Sequence, residues 1–248
     1  MTNIKTSDEI IIMEEAGKIL AEVFKKTIKV IIPGMTKLEL DTIIEKFIIE
    51  SGATPSFKNY KGYKYSSCLS VNSEIVHGMP NNDVINDGDI LGIDIGVNYN
   101  GYHADSAITV PIGKVDTVAQ ELINVTKKSL DLAISKIKPG VTIGQIQKTI
   151  QNFVESKNYC LVRSYSGHGI GKNLQEDPII PNYYGLNNHL IIKENAVFCI
   201  EPMVIVGKNH HVAVKNDGWT VISASDQLAA HFEHTVAVTK KNCKVLTK

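Results

Sequence analysis

The stretch Asp94-Ile-Gly-Val-Asn-Tyr-Asn100-Gly101-Tyr-His-Ala-Asp105 constrains this chain more than any other. Asn-Gly between strand-like residues is the strongest short-range signal for a two-residue type I′ hairpin, because both central residues must take a positive φ. A turn at Asn100-Gly101 makes Tyr99 face Tyr102, so that facing positions sum to 201. Gly96 then faces Asp105 and Asp94 faces Ala107, which makes the two aspartates diagonal neighbours on one face. Diagonal cross-strand positions lie about 7–8 Å apart at the backbone, within reach of a common ion. Two carboxylates aimed together on apolar strands repel unless they are protonated or bound to a cation. A hard divalent ion, or a pair, resolves that repulsion. The plainer reading is the solvated polar face of an edge hairpin.

Three later segments offer ligands of the same kind. Gly167-His168-Gly169-Ile170-Gly171 sets one imidazole among glycines, where the backbone can bend sharply and leave room for a ligand. Cys199-Ile200-Glu201-Pro202 ends the apolar run from Ala196 to Ile200 with a carboxylate. His231-Phe232-Glu233-His234-Thr235 opens the strand-like segment from Thr235 to Val238. Singly, His168 reads as a turn histidine, Glu201 as a strand-end surface acid and Glu233 as one of an exposed alternating set. Together, two Asp, one His and two Glu form an oxygen-rich set with one nitrogen. Such a set suits Mn, Fe(II) or Co better than a structural zinc site, which prefers Cys and His.

The rest of the chain limits what surrounds this set. Its 248 residues suffice for one large domain or two small ones. Formal net charge is zero and Arg163 is the only arginine, which argues against a nucleic-acid or phosphate-reading surface. Cys68, Cys160, Cys199 and Cys243 contain no Cys-x-x-Cys pair and read as reduced thiols of a cytoplasmic protein. The early residues Lys5, Asp8 and Glu9 do not read as a targeting segment, and no apolar run is long enough to span a bilayer.

Thr6-x-x-Glu9 is a capping box that starts a helix running to about Ile31, ended by Pro33-Gly34. Leu38, Leu40, Ile43, Ile44, Phe47 and Ile48 mark a second amphipathic helix to about Ser51. The pattern then recurs, with a helix from Gln120 to Lys138 before Pro139-Gly140 and another marked by Ile143, Ile146, Ile150, Phe153 and Val154. A shift of 106 positions carries Pro33, Gly34, Thr36, Ile44 and Phe47 onto Pro139, Gly140, Thr142, Ile150 and Phe153. This implies an internal duplication, with halves of about 1–115 and 116–248, each a helix pair with antiparallel strands. Two such halves can share one curved sheet with helices on its back, and a pocket is expected where they meet.

The ordered set Asp94, Asp105, His168, Glu201 and Glu233 resembles the type I methionine aminopeptidases. The likeness includes Lys37-Leu-Glu-Leu-Asp41, Ser70-Val-Asn72, Val76-His77-Gly78-Met-Pro80 and Asp217-Gly218-Trp219-Thr220, and runs from about Ile4 to Val245. It implies a single α/β (α+β) metallopeptidase domain of the pita-bread fold, in the short bacterial form. It also implies two divalent ions (Fe(II), Mn or Co) that supply water for hydrolysis. Asp94 would chelate one ion, Asp105 and Glu233 would bridge both, and His168 and Glu201 would complete the second ion's shell. Glu201 would also shuttle the proton, and His77 would hydrogen-bond the substrate amide nitrogen. Tyr60, Tyr63, Cys68, Leu174 and Trp219 would line an apolar pocket for the methionine thioether. Phe57 and Leu174 stand where many members carry other types, often cysteine and phenylalanine, which implies a reshaped but still apolar pocket. The substrates would be the N-termini of nascent chains with a small second residue, met transiently at the ribosome by a monomeric, cytoplasmic enzyme.

One position departs from that pattern. The family carries a second catalytic histidine seven positions after the metal-binding one, and Gln175 stands there, within Leu174-Gln175-Glu176-Asp177-Pro178. His189, His210 and His211 are not placed in sequence to substitute for it. Glutamine keeps an N–H donor but cannot carry a positive charge. Losing an oxyanion donor costs about 100- to 1000-fold in turnover, and a retained neutral donor should cost less. Two rival readings follow: a catalytically weakened peptide-binding homologue, or an Xaa-Pro peptidase of the same fold. Xaa-Pro peptidases usually carry an additional N-terminal domain, and this sequence begins almost at the catalytic one.

Overall fold

The computed structural model describes residues 4–248. Helix α1 spans Ser7–Val30, with the Thr6 hydroxyl accepting from Glu9 N and the Glu9 carboxylate accepting from Thr6 N. Helix α2 spans Lys37–Glu50 and is capped the same way by Thr36 and Glu39. Helix α3 spans Thr117–Lys136, and α4 spans Ile143–Ser156 behind the Thr142–Gln145 capping box. Helix α3 starts three residues before the expected Gln120, because the Asp116 carboxylate accepts from Ala119 N at 2.7 Å. It ends at Lys136 rather than Lys138, because Ile137 turns extended and is buried. Helices α2 and α4 are offset by 106 residues at both ends.

The strands in chain order are β1 (Thr54–Pro55), β2 (Ser67–Val71), β3 (Glu74–Val76), β4 (Ile90–Tyr99), β5 (Tyr102–Pro111), β6 (Tyr159–Leu161), β7 (Ser166–Gly169) and β8 (Glu176–Pro181). They continue with β9 (Val197–Ile200), β10 (Met203–Val206), β11 (Val212–Val214), β12 (Val221–Ser223), β13 (Ala229–His231), β14 (Glu233–Val238) and β15 (Cys243–Val245). The main sheet is antiparallel, in the order β1-β4-β5-β14-β9-β7-β8, with β2 also on β4 and β15 also on β14. Two smaller sheets, β13-β10-β6 and β11-β12-β3, flank it.

Alternation along the strands decides which face the helices cover. Leu91, Ile93, Ile95 and Val97 of β4 pack with Leu20, Phe24, Leu40 and Ile44 of α1 and α2. Phe198 and Ile200 of β9 and Val236 and Val238 of β14 pack with Leu122, Leu130, Ile146 and Ile150 of α3 and α4. Burying each of these side chains contributes about 1.5–3 kcal/mol, so each helix pair is held to the sheet by its own apolar stripe. The residues between them, Asp94 and Gly96 on β4 and Cys199 on β9, fall on the opposite face. This is the expected α/β architecture, a curled antiparallel sheet backed by helices.

Candidate metal centre

The β4–β5 hairpin forms in the expected register. Asn100 and Gly101 take φ of 49° and 81°, Tyr99 pairs with Tyr102, Gly96 with Asp105 and Asp94 with Ala107. The other ligand candidates stand on neighbouring strands: His168 in β7, Glu201 directly after β9 and Glu233 at the start of β14. Strands β4, β5, β14, β9 and β7 are successive neighbours in the sheet, so each delivers one candidate ligand toward a common centre.

Carboxylate oxygens of Asp94, Asp105 and Glu233 lie within 4.8 Å of one another. Donor atoms of His168, Cys199 and Glu233 form a second group of the same size. Glu233 belongs to both. His168 Nδ1 lies 2.9 Å from the Gly169 carbonyl and donates to it, which leaves the Nε2 lone pair facing the site. That Nε2 is 3.7 Å from Glu201 Oε1.

The electrostatics of the cluster favour a cation. Burial pushes the Asp94 carboxyl up to about 7. Burial first, and the neighbouring carboxylates second, hold Asp105, Glu201 and Glu233 well above the usual carboxylate range. Asp94 Oδ1, Asp105 Oδ1 and Glu233 Oε1 are buried without a hydrogen-bond partner among the described residues. Orphaned carboxylate oxygens carry a cost of several kcal/mol per group unless a cation satisfies them. Hard oxygen donors with one imidazole fit a divalent transition ion.

The glycines around His168 serve a purpose other than the expected sharp bend. Neither Gly167 nor Gly169 takes a positive φ. A Cβ on Gly167 would lie 2.4 Å from the Cys199 carbonyl oxygen, and one on Gly169 would lie 2.2 Å from that of Asp177. These glycines let β7 lie tightly against its neighbours.

A cavity of about 250 Å³ opens over the cluster. All five candidate ligands line it, as do His77, Gln175, Tyr60, Tyr63, Cys68, Leu174 and Trp219. Tyr63 meets Trp219 edge-to-face at 5.0 Å, and its hydroxyl donates to the Ser67 carbonyl at 2.9 Å. Phe57 adds a further apolar surface. His77 takes a φ of 56°, in the left-handed region, and its ring meets Tyr165 at 5.3 Å. Burial, helped by the Lys61 ammonium, pushes the His77 imidazole down to about 4. Gln175 is exposed at the cavity, and its Oε1 accepts from Tyr60 Oη and Lys61 Nζ, both at 3.4 Å.

Sequence reasoning gave no site role to six of the lining residues: Lys61, Val76, Tyr165, Ser166, Met203 and His231. It also passed over the Cys199 thiol beside His168 and Glu233. His231 precedes Glu233 by two, and that spacing was the one available signal, because alternate strand residues share a face. Burial pushes its imidazole down to about 3, with His77 adding to the effect.

The chain is similar to known proteins over nearly its whole length. Residues 12–240 match the sequence profile of metallopeptidase family M24. The chain is 45% identical over 244 residues to methionine aminopeptidase 1 of Bacillus subtilis, covering 98% of each. Its fold matches the crystal structure of methionine aminopeptidase from Thermotoga maritima at a TM-score of 0.97, with 41% identity and full coverage of both chains. Prolidase from Pyrococcus furiosus shares the fold at a TM-score of 0.82, with 25% identity, and this chain spans only 65% of its length. On these grounds the chain belongs to metallopeptidase family M24, among the methionine aminopeptidases.

Proposed function

We infer that this chain removes the N-terminal methionine from newly made proteins whose second residue is small. The observation that carries the reading is the sharing of Glu233 between two donor groups at the floor of an apolar-walled cavity. A carboxylate common to two groups suits a pair of adjacent ions. Asp94, Asp105 and Glu233 would hold one ion, and His168, Glu201, Asp105 and Glu233 the other. Fe(II), Mn or Co fit this donor set. When bound, such ions supply Lewis acidity that polarises the scissile carbonyl and acidifies the attacking water.

The protein's own groups do the rest. Glu201 takes the proton of the attacking water and passes it to the leaving amine, a role suited to a carboxyl raised by burial. His77, kept neutral by burial, accepts a hydrogen bond from the substrate amide nitrogen at its unprotonated ring nitrogen. Gln175 offers its carboxamide N–H₂ to the substrate carbonyl while Tyr60 and Lys61 hold its oxygen. Tyr63, Cys68, Leu174 and Trp219, with Phe57, receive the methionine side chain. We read the chain as one catalytic domain of two duplicated halves, acting as a cytoplasmic monomer on chains leaving the ribosome. Among the described residues no helix is long and apolar enough to cross a membrane.

The test is release of free methionine from a Met-Ala-Ser peptide by metal-stripped protein titrated anaerobically with Fe(II), Mn or Co. Metal-dependent release saturating at two ions per chain is expected. Absence of release with every ion would overturn the reading. Release only from Xaa-Pro peptides would replace it with the prolidase reading.

A further inference from the structure

His231 ends β13, is 3% exposed and lines the cavity. Its backbone is clamped twice by one hydroxyl: His231 N donates to Thr109 Oγ1 at 2.9 Å, and Thr109 Oγ1 donates to the His231 carbonyl at 2.9 Å. Its Nε2 is buried and has no hydrogen-bond partner among the described residues. Glu201 Oε2 lies 3.7 Å from it. Oε1 of the same carboxylate lies 3.7 Å from His168 Nε2. Glu201 is therefore bracketed by two imidazoles, one on each oxygen.

The two imidazoles differ in what they can offer. The proton of His168 is committed to the Gly169 carbonyl, so its Nε2 presents a lone pair suited to a cation. His231 has no such commitment, and a neutral imidazole always carries one N–H. An orphaned buried donor is costly, so a proton on Nε2 is best placed when Glu201 accepts it. The gap of 3.7 Å is longer than a hydrogen bond, and catalytic hydrogen bonds often tighten only once a site is assembled.

We propose that His231 is a positioning residue for Glu201, donating from Nε2 to Oε2 and fixing the carboxylate as it moves a proton from the attacking water to the leaving amine. This rests on the aminopeptidase reading above. It assigns the chain an imidazole beside the proton-carrying carboxylate, at a position distinct from Gln175 at the exposed edge of the cavity.

Four proteins test it: the natural sequence, His231→Gln, His231→Asn and His231→Leu. A glutamine amide nitrogen reaches the place of Nε2, whereas an asparagine amide reaches only that of Nδ1. His231→Leu should lower kcat about 10- to 100-fold with KM nearly constant, as expected for an interaction acting on the chemical step. Calorimetric titration of the metal-stripped proteins with Mn(II) should show the weaker of two ions losing about 10-fold in affinity in the same variant, the usual effect of losing a residue that orients a ligand. His231→Gln should restore both quantities and His231→Asn should not. A merely structural role would lower the melting temperature of Gln and Asn variants alike and would not separate them in kcat. Equal behaviour of Gln and Asn, or full kcat in the Leu variant, would overturn the proposal. If the Leu variant fails to fold, the Gln–Asn comparison decides alone. If the natural sequence releases no methionine, the aminopeptidase reading fails, and the Mn(II) affinities still decide whether His231 orients Glu201.

Discussion

Gly96 lies directly opposite Asp105 on the β4–β5 ladder, and the space left by its missing side chain is filled by the Phe57 ring. A Cβ on Gly96 would come within 2.7 Å of Phe57 Cε1 and 2.8 Å of Ser56 Cβ. The glycine thus couples the strand that carries Asp94 to the apolar wall of the cavity. Gly96→Ala should displace Phe57 and destabilise the fold by about 1–3 kcal/mol, the usual cost of overpacking. KM for Met-Ala-Ser should rise more than kcat falls. Urea unfolding and steady-state kinetics check the two parts.

Glu233 is common to both donor groups, so it should matter to both ions. In calorimetric titrations of metal-stripped protein, Glu233→Gln should weaken both binding events, whereas Asp94→Asn should weaken one. Divalent ions should raise the melting temperature of the natural sequence, because they bind the folded state alone. The Glu233→Gln variant should lose most of that rise.

Gln175 keeps a donor but carries no charge. If its carboxamide faces the substrate carbonyl, Gln175→His should raise kcat by about 10-fold and alter the pH profile, less than the full loss of an oxyanion donor would cost. Unchanged turnover and pH dependence would remove position 175 from the catalytic set. Methionine release measured across pH decides.

Asp41 anchors the start of β2. Its Oδ1 accepts from Ser66 N at 3.1 Å, Ser67 N at 2.8 Å and Ser67 Oγ at 2.7 Å. Burial nevertheless holds its carboxyl above the ordinary value of 3.8, outweighing those bonds. Between 3.8 and the raised native value, the folded protein keeps a proton that the unfolded chain has released. This group's contribution to stability is therefore greatest below 3.8 and falls as pH rises through that window. Asp41→Asn keeps the acceptor and removes the titration, so its stability relative to the natural sequence should improve as pH rises. Asp41→Ala should cost about 1–3 kcal/mol below that window, because buried donors lose their acceptor, and less as pH rises through it. Urea unfolding of the three proteins from acid to neutral pH measures both.

Much of the local structure was legible. Asn100-Gly101 specified the turn, and with it the register that sets Gly96 against Asp105. Thr6, Thr36 and Thr142 announced three helix starts through their partners Glu9, Glu39 and Gln145. Asp116 was overlooked because the residue three positions on is Ala119, which leaves a lone cap without the reciprocal partner of a box. The glycines beside His168 were read as allowing a sharp bend, but their reason is close approach of the Cys199 and Asp177 carbonyls, which only the folded chain supplies.

Turn chemistry, capping and strand alternation are local, so the sequence by itself determined the hairpin, the four helices and the shared face of Asp94 and Asp105. Strand order is not local. The strand β14 lies between β5 and β9, and the Ser106 hydroxyl reaches the Glu233 carbonyl from 127 positions away. Only that long-range pairing sets Glu233 between the two donor groups and His231 beside Glu201. Convergence of five strands on one centre depends on how two apolar helix pairs bury one shared sheet, a property of the whole packed chain.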